Sequence, residues 1–483
     1  MMNSSRVNVV GALNTLLLQA ADALQQGGGD MVNQAETVRT IVNRPPQVAV
    51  AGRLKSGKST LVNALTQHKI AATGSLECTM AVSIYSDGAP ARAEIHDLDG
   101  GVRRISLADG PLTGLGRPLD EIDYIHQYLP NRELRQLGLI DTPGTATLTV
   151  ENEQRTRRVL VDGQKDTARA SAWADSVVFL SDSTPRDDER EFLATLGMTP
   201  LTLVGVLSRA DSFGAGAFGD RDPIEHAASH SQRIVRELGG AVSAVLPLSG
   251  LLAESALTGQ ITEDFARMLA ALAPLSRTEL LDVLELPDPS SVGPGLNAQQ
   301  RDWLLDTVGE YGIFIGRNVA AQSGAVGLMR WMVEASGLQN LTNLLTGDLT
   351  YYSLLQRAAR VLDILDELAG THAQRDHARW VQSVTVTQPA MQQVLLYRSF
   401  QRTYRSSPMS RLVPMLHQAI TATSPAGVAG LTENAPESEV RDALNNKIVE
   451  LQQMAMAPLS AAEEEARTRL VVAHQEALNV IGG

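Results

Sequence analysis

The sequence predicts a two-part molecule. One part is an α/β domain that holds a nucleotide phosphate; the other is an elongated all-α bundle built from segments on both sides of it. Three observations predict this. A glycine-rich turn joins an apolar strand to a helix at 48–62, "VAVAGRLKSGKSTLV". Apolar strands ending in polar turns recur at 137–144, 201–211 and 243–253. The flanking segments are rich in the helix formers Ala, Leu, Arg, Glu and Gln, and only 4 % of residues are aromatic.

The 483 residues exceed one ordinary domain, and 43 % are apolar, enough for a packed core. A formal charge of −13 argues against a protein that grips nucleic acid. The single cysteine, Cys78, forms no internal disulfide. No apolar run reaches the roughly 18 residues of a spanning helix. "RVNVVGALNTLLLQAADAL" carries one arginine and apolar residues at helical spacing, so it reads as an amphipathic helix rather than a leader. The expected location is cytoplasmic, with any membrane contact peripheral, on the inner face of the plasma membrane.

The phosphate loop comes first. Gln47 to Ala51 read as a buried strand, and Ser59 onward as a helix. Between them lies Gly52-Arg53-Leu54-Lys55-Ser56-Gly57-Lys58-Ser59-Thr60, the spacing of a P-loop. Its glycines let backbone N–H groups turn inward onto phosphate oxygens, and the helix N-terminus adds partial positive charge. Lys58 is expected on the β- and γ-phosphates and the Ser59 hydroxyl on Mg2+. The chain has only five lysines, and two of them, Lys55 and Lys58, stand in this turn.

Downstream motifs select the base and complete the metal site. "LGLIDTPG" ends in Asp141, which would hold Mg2+ through water, and Gly144, whose N–H would sense the γ-phosphate. Between the two motifs Thr79 is placed to close on Mg2+ and the γ-phosphate, with Thr73 and Ser75 as rivals. "LTLVGVLSRAD" ends in Ser208-Arg209-Ala210-Asp211, the position of a guanine motif. Asp211 would accept from guanine N1 and N2, and Arg209 would lie along the base. Ser249-Gly250 would present backbone to guanine O6. Four such elements at strand ends, in this order, fit a Ras-like GTPase domain with its ligand at the carboxyl edge of the sheet.

The "GRLKSGKSTLVNAL" loop, the "DTPG" turn with no glutamine after it, the long 145–172 segment and the flanking helices together resemble the dynamin superfamily. They are most similar to its bacterial members and, among these, to the isoniazid-inducible dynamin-like GTPases of mycobacteria. The likeness is strongest over 46–255. It implies slow hydrolysis of GTP to GDP and phosphate, a homodimer through GTPase domains, and in some members a second dynamin-like protein as partner. It also implies binding to anionic phospholipid at a helical tip, with membrane remodelling or envelope maintenance as the outcome. Lys55 stands where eukaryotic members carry a small polar residue that helps hold a monovalent cation. The resemblance therefore suggests that its ammonium replaces that cation in catalysis. The alternative reading is a soluble regulatory GTPase switch acting on a protein partner.

The helical remainder divides into 1–45 (two helices joining the bundle), 256–346 (an extension packed near the GTPase domain, itself 46–255) and 347–483 (the stalk). Helices are expected at 6–26, 31–43, 260–285, 350–370, 374–386, 389–406 and 409–421. A single long helix at 437–480 is expected to kink at Pro458. The loop 421–436 is expected at the stalk tip, with Val428 and Leu431 dipping into a bilayer. In "YRSFQRTYR" (397–405), Arg398, Arg402 and Arg405 share one face, which suits lipid headgroups. No zinc spacing, paired catalytic carboxylates or Ser/His/Asp set stands out.

Overall fold

Gln47–Gly52 (β1) is buried along its whole length because it lies between two strands that run its own way, Gly138–Asp141 (β6) and Ser176–Ser181 (β7). Such a strand needs apolar residues on both faces, which "QVAVAG" supplies. The structure, a computed structural model, describes residues 4–53, 55–70, 81–108, 112, 114–118, 121–142, 174–187, 189–190, 193, 198–287, 289–291, 295–371 and 374–482.

Among these residues one nine-stranded mixed sheet runs in the order Val102–Ser106 (β4), Arg92–Asp97 (β3), Ile122–Leu129 (β5), Ser83–Asp87 (β2), β6, β1, β7, Leu203–Ser208 (β8) and Val245–Leu248 (β9). Strands β8 and β9 continue the parallel side beyond β7. Strand β2 lies antiparallel to β6 and parallel to β5. Strands β3 and β4 complete an antiparallel wing with its own small core around Ala93, Ile95 and Ile125. Nothing in the sequence reading anticipated strands over 92–129. One face of the central sheet packs on the P-loop helix Lys58–Thr66 through Leu61, Val62 and Leu65, and on Leu338, Leu341 and Leu345. The other face meets Met198 and Val242.

The stretch expected to be helical over 260–285 forms two helices, Glu263–Ala270 and Arg277–Glu285, each capped by a hydroxyl, Thr262 and Ser276. Ala298–Ser336 packs on Gly250–Leu257 and Glu263–Ala270 through Leu252, Phe265 and Leu328. Its path is broken at Gly309 and Gly324, with φ of 64° and 61°.

The helical core joins both ends of the chain. Leu13, Leu17 and Met31 from Ser4–Gln25 and Met31–Asn43 pack with Leu355 and Leu362 of Asp348–Thr371, Phe400 of Gln392–Ser406, Leu416 of Leu412–Thr421 and Leu470 of Ala461–Gly482. The joint between this core and the sheet is ionic. Fully buried Asp175, at the head of β7, accepts from Arg44 at 3.0 Å, Arg360 at 2.9 Å and the Gln47 N–H at 2.9 Å, with Arg357 at 3.7 Å. Burial, and then repulsion from its neighbouring arginines, push the Arg44 guanidinium down to about 10 against the pull of Asp175.

Three expectations about the stalk are corrected. The stretch 437–480 is not one long helix: Glu437–Met454 and Ala461–Gly482 pack on each other, with Leu444 of one and Ala477 of the other in one cluster. Pro458 lies in the turn between them, because a proline there cannot continue the helical hydrogen bonds. The loop 421–436 does not offer Val428 and Leu431 to a bilayer. Both pack on Ala426, Ala429 and Val440, because Ser424 caps a short helix, Pro425–Ala429, that folds them inward. In 397–405 the aromatics Tyr397 and Phe400 are fully buried. Arg398 is buried against Asp363 and Asp366, and Arg402 pairs with Glu465 at 2.9 Å, so these arginines serve helix packing.

Candidate nucleotide and magnesium site

The parallel register brings the motifs together. Val50 of β1 stands opposite Asp141 of β6, so the phosphate loop leaves the sheet beside the "DTPG" carboxylate. Thr142 locks the pair, its Oγ1 donating to Val50 O at 2.9 Å. The first turn depends on Gly52: with φ 149°, a Cβ there would come 2.4 Å from Leu180 O. Gly57 enters the helix at φ 94°.

Lys58 is buried and its Nζ points back into the loop, 3.2 Å from Gly52 O and 2.8 Å from Arg53 O. Burial pulls its ammonium below the ordinary lysine range, and Asp141 partly opposes this. Ser59 Oγ donates to Asp141 Oδ2 at 3.0 Å. Burial raises the Asp141 carboxyl to about 6, against the pull of Lys58, Ser59 and the Thr142 N–H. Its second oxygen, Oδ1, is buried without a partner among the described residues, as is Ser56 Oγ. A hydroxyl beside a carboxylate with one orphaned oxygen is a hard-oxygen set that suits Mg2+. Ser59 and Asp141 therefore fit that ion.

The structure gives several expected residues a more local task. The Arg53 side chain pairs with buried Glu189 at 3.2 Å, while its carbonyl oxygen accepts from Lys58 and from the Ser56 N–H. Ser208 Oγ donates to Ser181 O at 3.3 Å and ties β8 to β7. Ser249 is buried, and its Oγ accepts from the Leu252 N–H at the head of Gly250–Leu257. Gly250 faces Thr60, whose Cγ2 would be 3.3 Å from a Cβ there. Asp211 is half-buried at the end of β8, in the turn Ala210–Ser212. Lys55 is exposed, with φ 62°. Leu54, Thr73, Ser75, Cys78, Thr79 and Gly144 lie outside the described residues.

Sequence reasoning missed Glu189, Asp175 and Tyr311. Each acts through a partner far away in the chain, and no local pattern marks it. Among the described residues no cluster of histidine, cysteine and carboxylates could hold a metal by itself, and no helix is long and apolar enough to cross a membrane.

A model of the dynamin family matches residues 48–183. The isoniazid-induced protein IniC of Mycobacterium tuberculosis, from strains CDC 1551 / Oshkosh and ATCC 25618 / H37Rv, is 33 % identical over 397 residues, 77 % of this chain and 76 % of the relative. Among solved structures, one of an oligomerised bacterial dynamin pair, described in terms of long-range sensing and tethering of membranes, covers 100 % of this chain and 76 % of its own, at 13 % identity and a TM-score of 0.37. The LeoA bacterial dynamin GTPase from ETEC covers 100 % of this chain and 78 % of its own, at 11 % identity and a TM-score of 0.26.

Proposed function

From the premise that this chain belongs to the dynamin family and hydrolyses GTP, we propose that it couples Mg2+-dependent turnover to binding and remodelling of an anionic membrane. The observation that carries the catalytic part is the Ser59–Asp141 contact, with the orphaned carboxylate oxygen beside the phosphate loop. Mg2+ at Ser59 and Asp141 would neutralise charge between the β- and γ-phosphates. Lys58 binds those phosphates, and Lys55 adds a cation at the mouth of the loop. Water is the nucleophile. "DTPG" is not followed by a glutamine to orient it, so a slow basal rate that rises on pairing of GTPase domains is the natural regime. Thr79 and Gly144 complete the set on the strength of motif position, and Asp211 reads guanine.

Two turns at one end of the bundle support the membrane part. Met409 is 94 % exposed in the turn 407–411, and Met456 is 91 % exposed in the turn 455–460. The turns are neighbours: the Thr403 hydroxyl, just before the first, donates to Ala462 O, just after the second, at 3.3 Å. Pro408, Ala455, Ala457 and Pro458 are exposed beside them, and Arg405 and Arg411 stand on the rim. Small apolar tips with an arginine rim suit insertion among anionic headgroups.

The test is liposome flotation of the whole protein with anionic and neutral vesicles, with GDP and with a non-hydrolysable GTP analogue. Flotation that depends on lipid charge or nucleotide supports the reading. A protein that turns over GTP and floats with neither lipid is instead a soluble switch.

A further inference from the structure

The helix Ala298–Ser336 packs on the turn Ala210–Ser212 that carries Asp211. Its backbone breaks at Gly309. A Cβ placed there would lie 3.4 Å from Leu251 Cδ2 and 3.7 Å from Asp211 Oδ2. Leu251 lies in the helix that follows β9 and Asp211 in the turn that follows β8, so Gly309 puts bare backbone between the two. At φ 64° that position favours glycine over any side chain.

Two residues on, Tyr311 is nearly buried, and its ring stacks on Trp331 with centroids 6.0 Å apart. Its hydroxyl donates to Asp222 Oδ2 at 2.9 Å. The other Asp222 oxygen accepts from Ile224 N–H at 2.9 Å and Glu225 N–H at 3.1 Å, capping the helix Pro223–Glu237. Burial, then the carboxylates of Asp222, Glu225 and Asp211, push the phenol above its ordinary range, so it stays a donor. One turn further, Phe314 meets Phe218 with centroids 5.0 Å apart. The loop that starts at Asp211 and ends at Asp222 is thus touched at its start, within it and at its end by a single helix.

We propose that Gly309 and Tyr311 are positioning residues for base selectivity: the helical extension forms the outer wall of the base slot and holds the Asp211 loop in register for a 2-amino-6-oxopurine nucleotide. The inference rests on the reading of Asp211 as the base acceptor. A carboxylate that accepts from both N1 and N2 discriminates guanine from hypoxanthine, which lacks the 2-amino group. The ratio of GTP to ITP affinity therefore reports where that carboxylate stands, while the phosphates, shared by both nucleotides, are held elsewhere.

The experiment measures Kd for GTP and ITP on the whole protein and three variants. Tyr311→Phe keeps the ring and removes the hydroxyl. Asp222→Ser keeps an oxygen to cap its helix and removes the acceptor of Tyr311. Asp211→Ala is the control. The loss of one hydrogen bond should narrow the GTP:ITP ratio about threefold or more in both Tyr311→Phe and Asp222→Ser, with ITP binding little changed. Equal weakening of both nucleotides, or a wild-type ratio in either folded variant, overturns the inference. If Asp211→Ala itself keeps the wild-type ratio, the reading of Asp211 is wrong. If it collapses the ratio while the other two variants do not, only the present inference falls.

Discussion

The guanidinium of Arg209 donates to the carbonyl oxygen of Lys55 at 2.7 Å, so the loop after β8 and the phosphate loop are joined directly. Both residues carry positive φ, 55° and 62°, without being glycine. Such residues each store roughly 1–3 kcal/mol of strain and persist where their surroundings hold them. Arg209→Ala should release the Lys55 turn and weaken GTP and GDP binding about tenfold, the scale of a charged hydrogen bond. Arg209→Lys should recover part of that loss, because a single ammonium can reach the same carbonyl. Calorimetric titration of both nucleotides decides, and unchanged affinities would show that the contact does not organise the site.

Lys55 itself is the sharper question. If its ammonium acts on charge developing between the phosphates, Lys55→Ala should lower kcat by about 10–100-fold and leave KM within about threefold. Wild-type turnover should then be the same in K+ and Na+. A strong K+ preference, or an unchanged kcat in Lys55→Ala, would return Lys55 to the role of an exposed loop residue. Lys58→Ala, in contrast, should abolish nucleotide binding.

The raised carboxyl of Asp141 makes metal use pH-dependent. Its folded value of about 6 exceeds the ordinary 3.8, so the nucleotide-free fold holds this proton more tightly than the unfolded chain does. The contribution to stability is full below the ordinary value and is lost as pH rises through about 6. Mg2+ needs the ionised form, so protons compete with it. Mg2+-dependent affinity for a GTP analogue should fall toward tenfold per pH unit below about 6 and be flat above about 7. A flat curve from about pH 5 upward would separate Asp141 from the metal.

The two-turn tip predicts a clean division of labour. Met409→Ser with Met456→Ser should abolish flotation on anionic vesicles and leave lipid-free GTP turnover unchanged, since both side chains are almost wholly in solvent. Val428→Ser should instead lower thermal stability by about 1 kcal/mol, because that residue packs on the cluster around Val440. Flotation that survives the double methionine change would place the lipid contact elsewhere.

Asp175 is the residue whose loss should matter most to the fold. Asp175→Ala leaves Arg44, Arg357 and Arg360 facing one another in a buried joint. Breaking such a cluster on one side costs about 3–5 kcal/mol. The variant should melt well below the wild type in a thermal scan, and a melting point within about 2 °C of it would mean that the arginines find other partners.

The phosphate loop was legible in the sequence because its glycines and its lysine are chosen by backbone geometry within a dozen residues. Asp141 stood out by its own strand-ending turn, whereas its place beside β1, opposite Val50, is a long-range pairing that only the structure gives. The stalk was legible as helix but not as packing. Periodicity put Arg398 and Arg402 on one face, yet it cannot say whether the aromatics beside them meet a bilayer or another helix; here Tyr397 and Phe400 meet the core. Pro458 reads as a kink in the sequence, and only the packing of Glu437–Met454 on Ala461–Gly482, with Leu444 and Ala477 in one cluster, decides for a turn. Asp175 gave no local sign, since its partner Arg360 lies 185 residues away.

That joint also has a mechanical meaning. Arg44 belongs to the link below the N-terminal helices, and Arg357 and Arg360 sit midway along Asp348–Thr371. One carboxylate at the root of a central strand is thus an axle with two arms, fixed by charge rather than by a flexible hinge. A helix of 24 residues is roughly 36 Å long, so a ten-degree rotation about its midpoint swings each end by roughly 3 Å. A tilt of β7 passed on through this carboxylate would thus move the two ends of Asp348–Thr371 further than its middle.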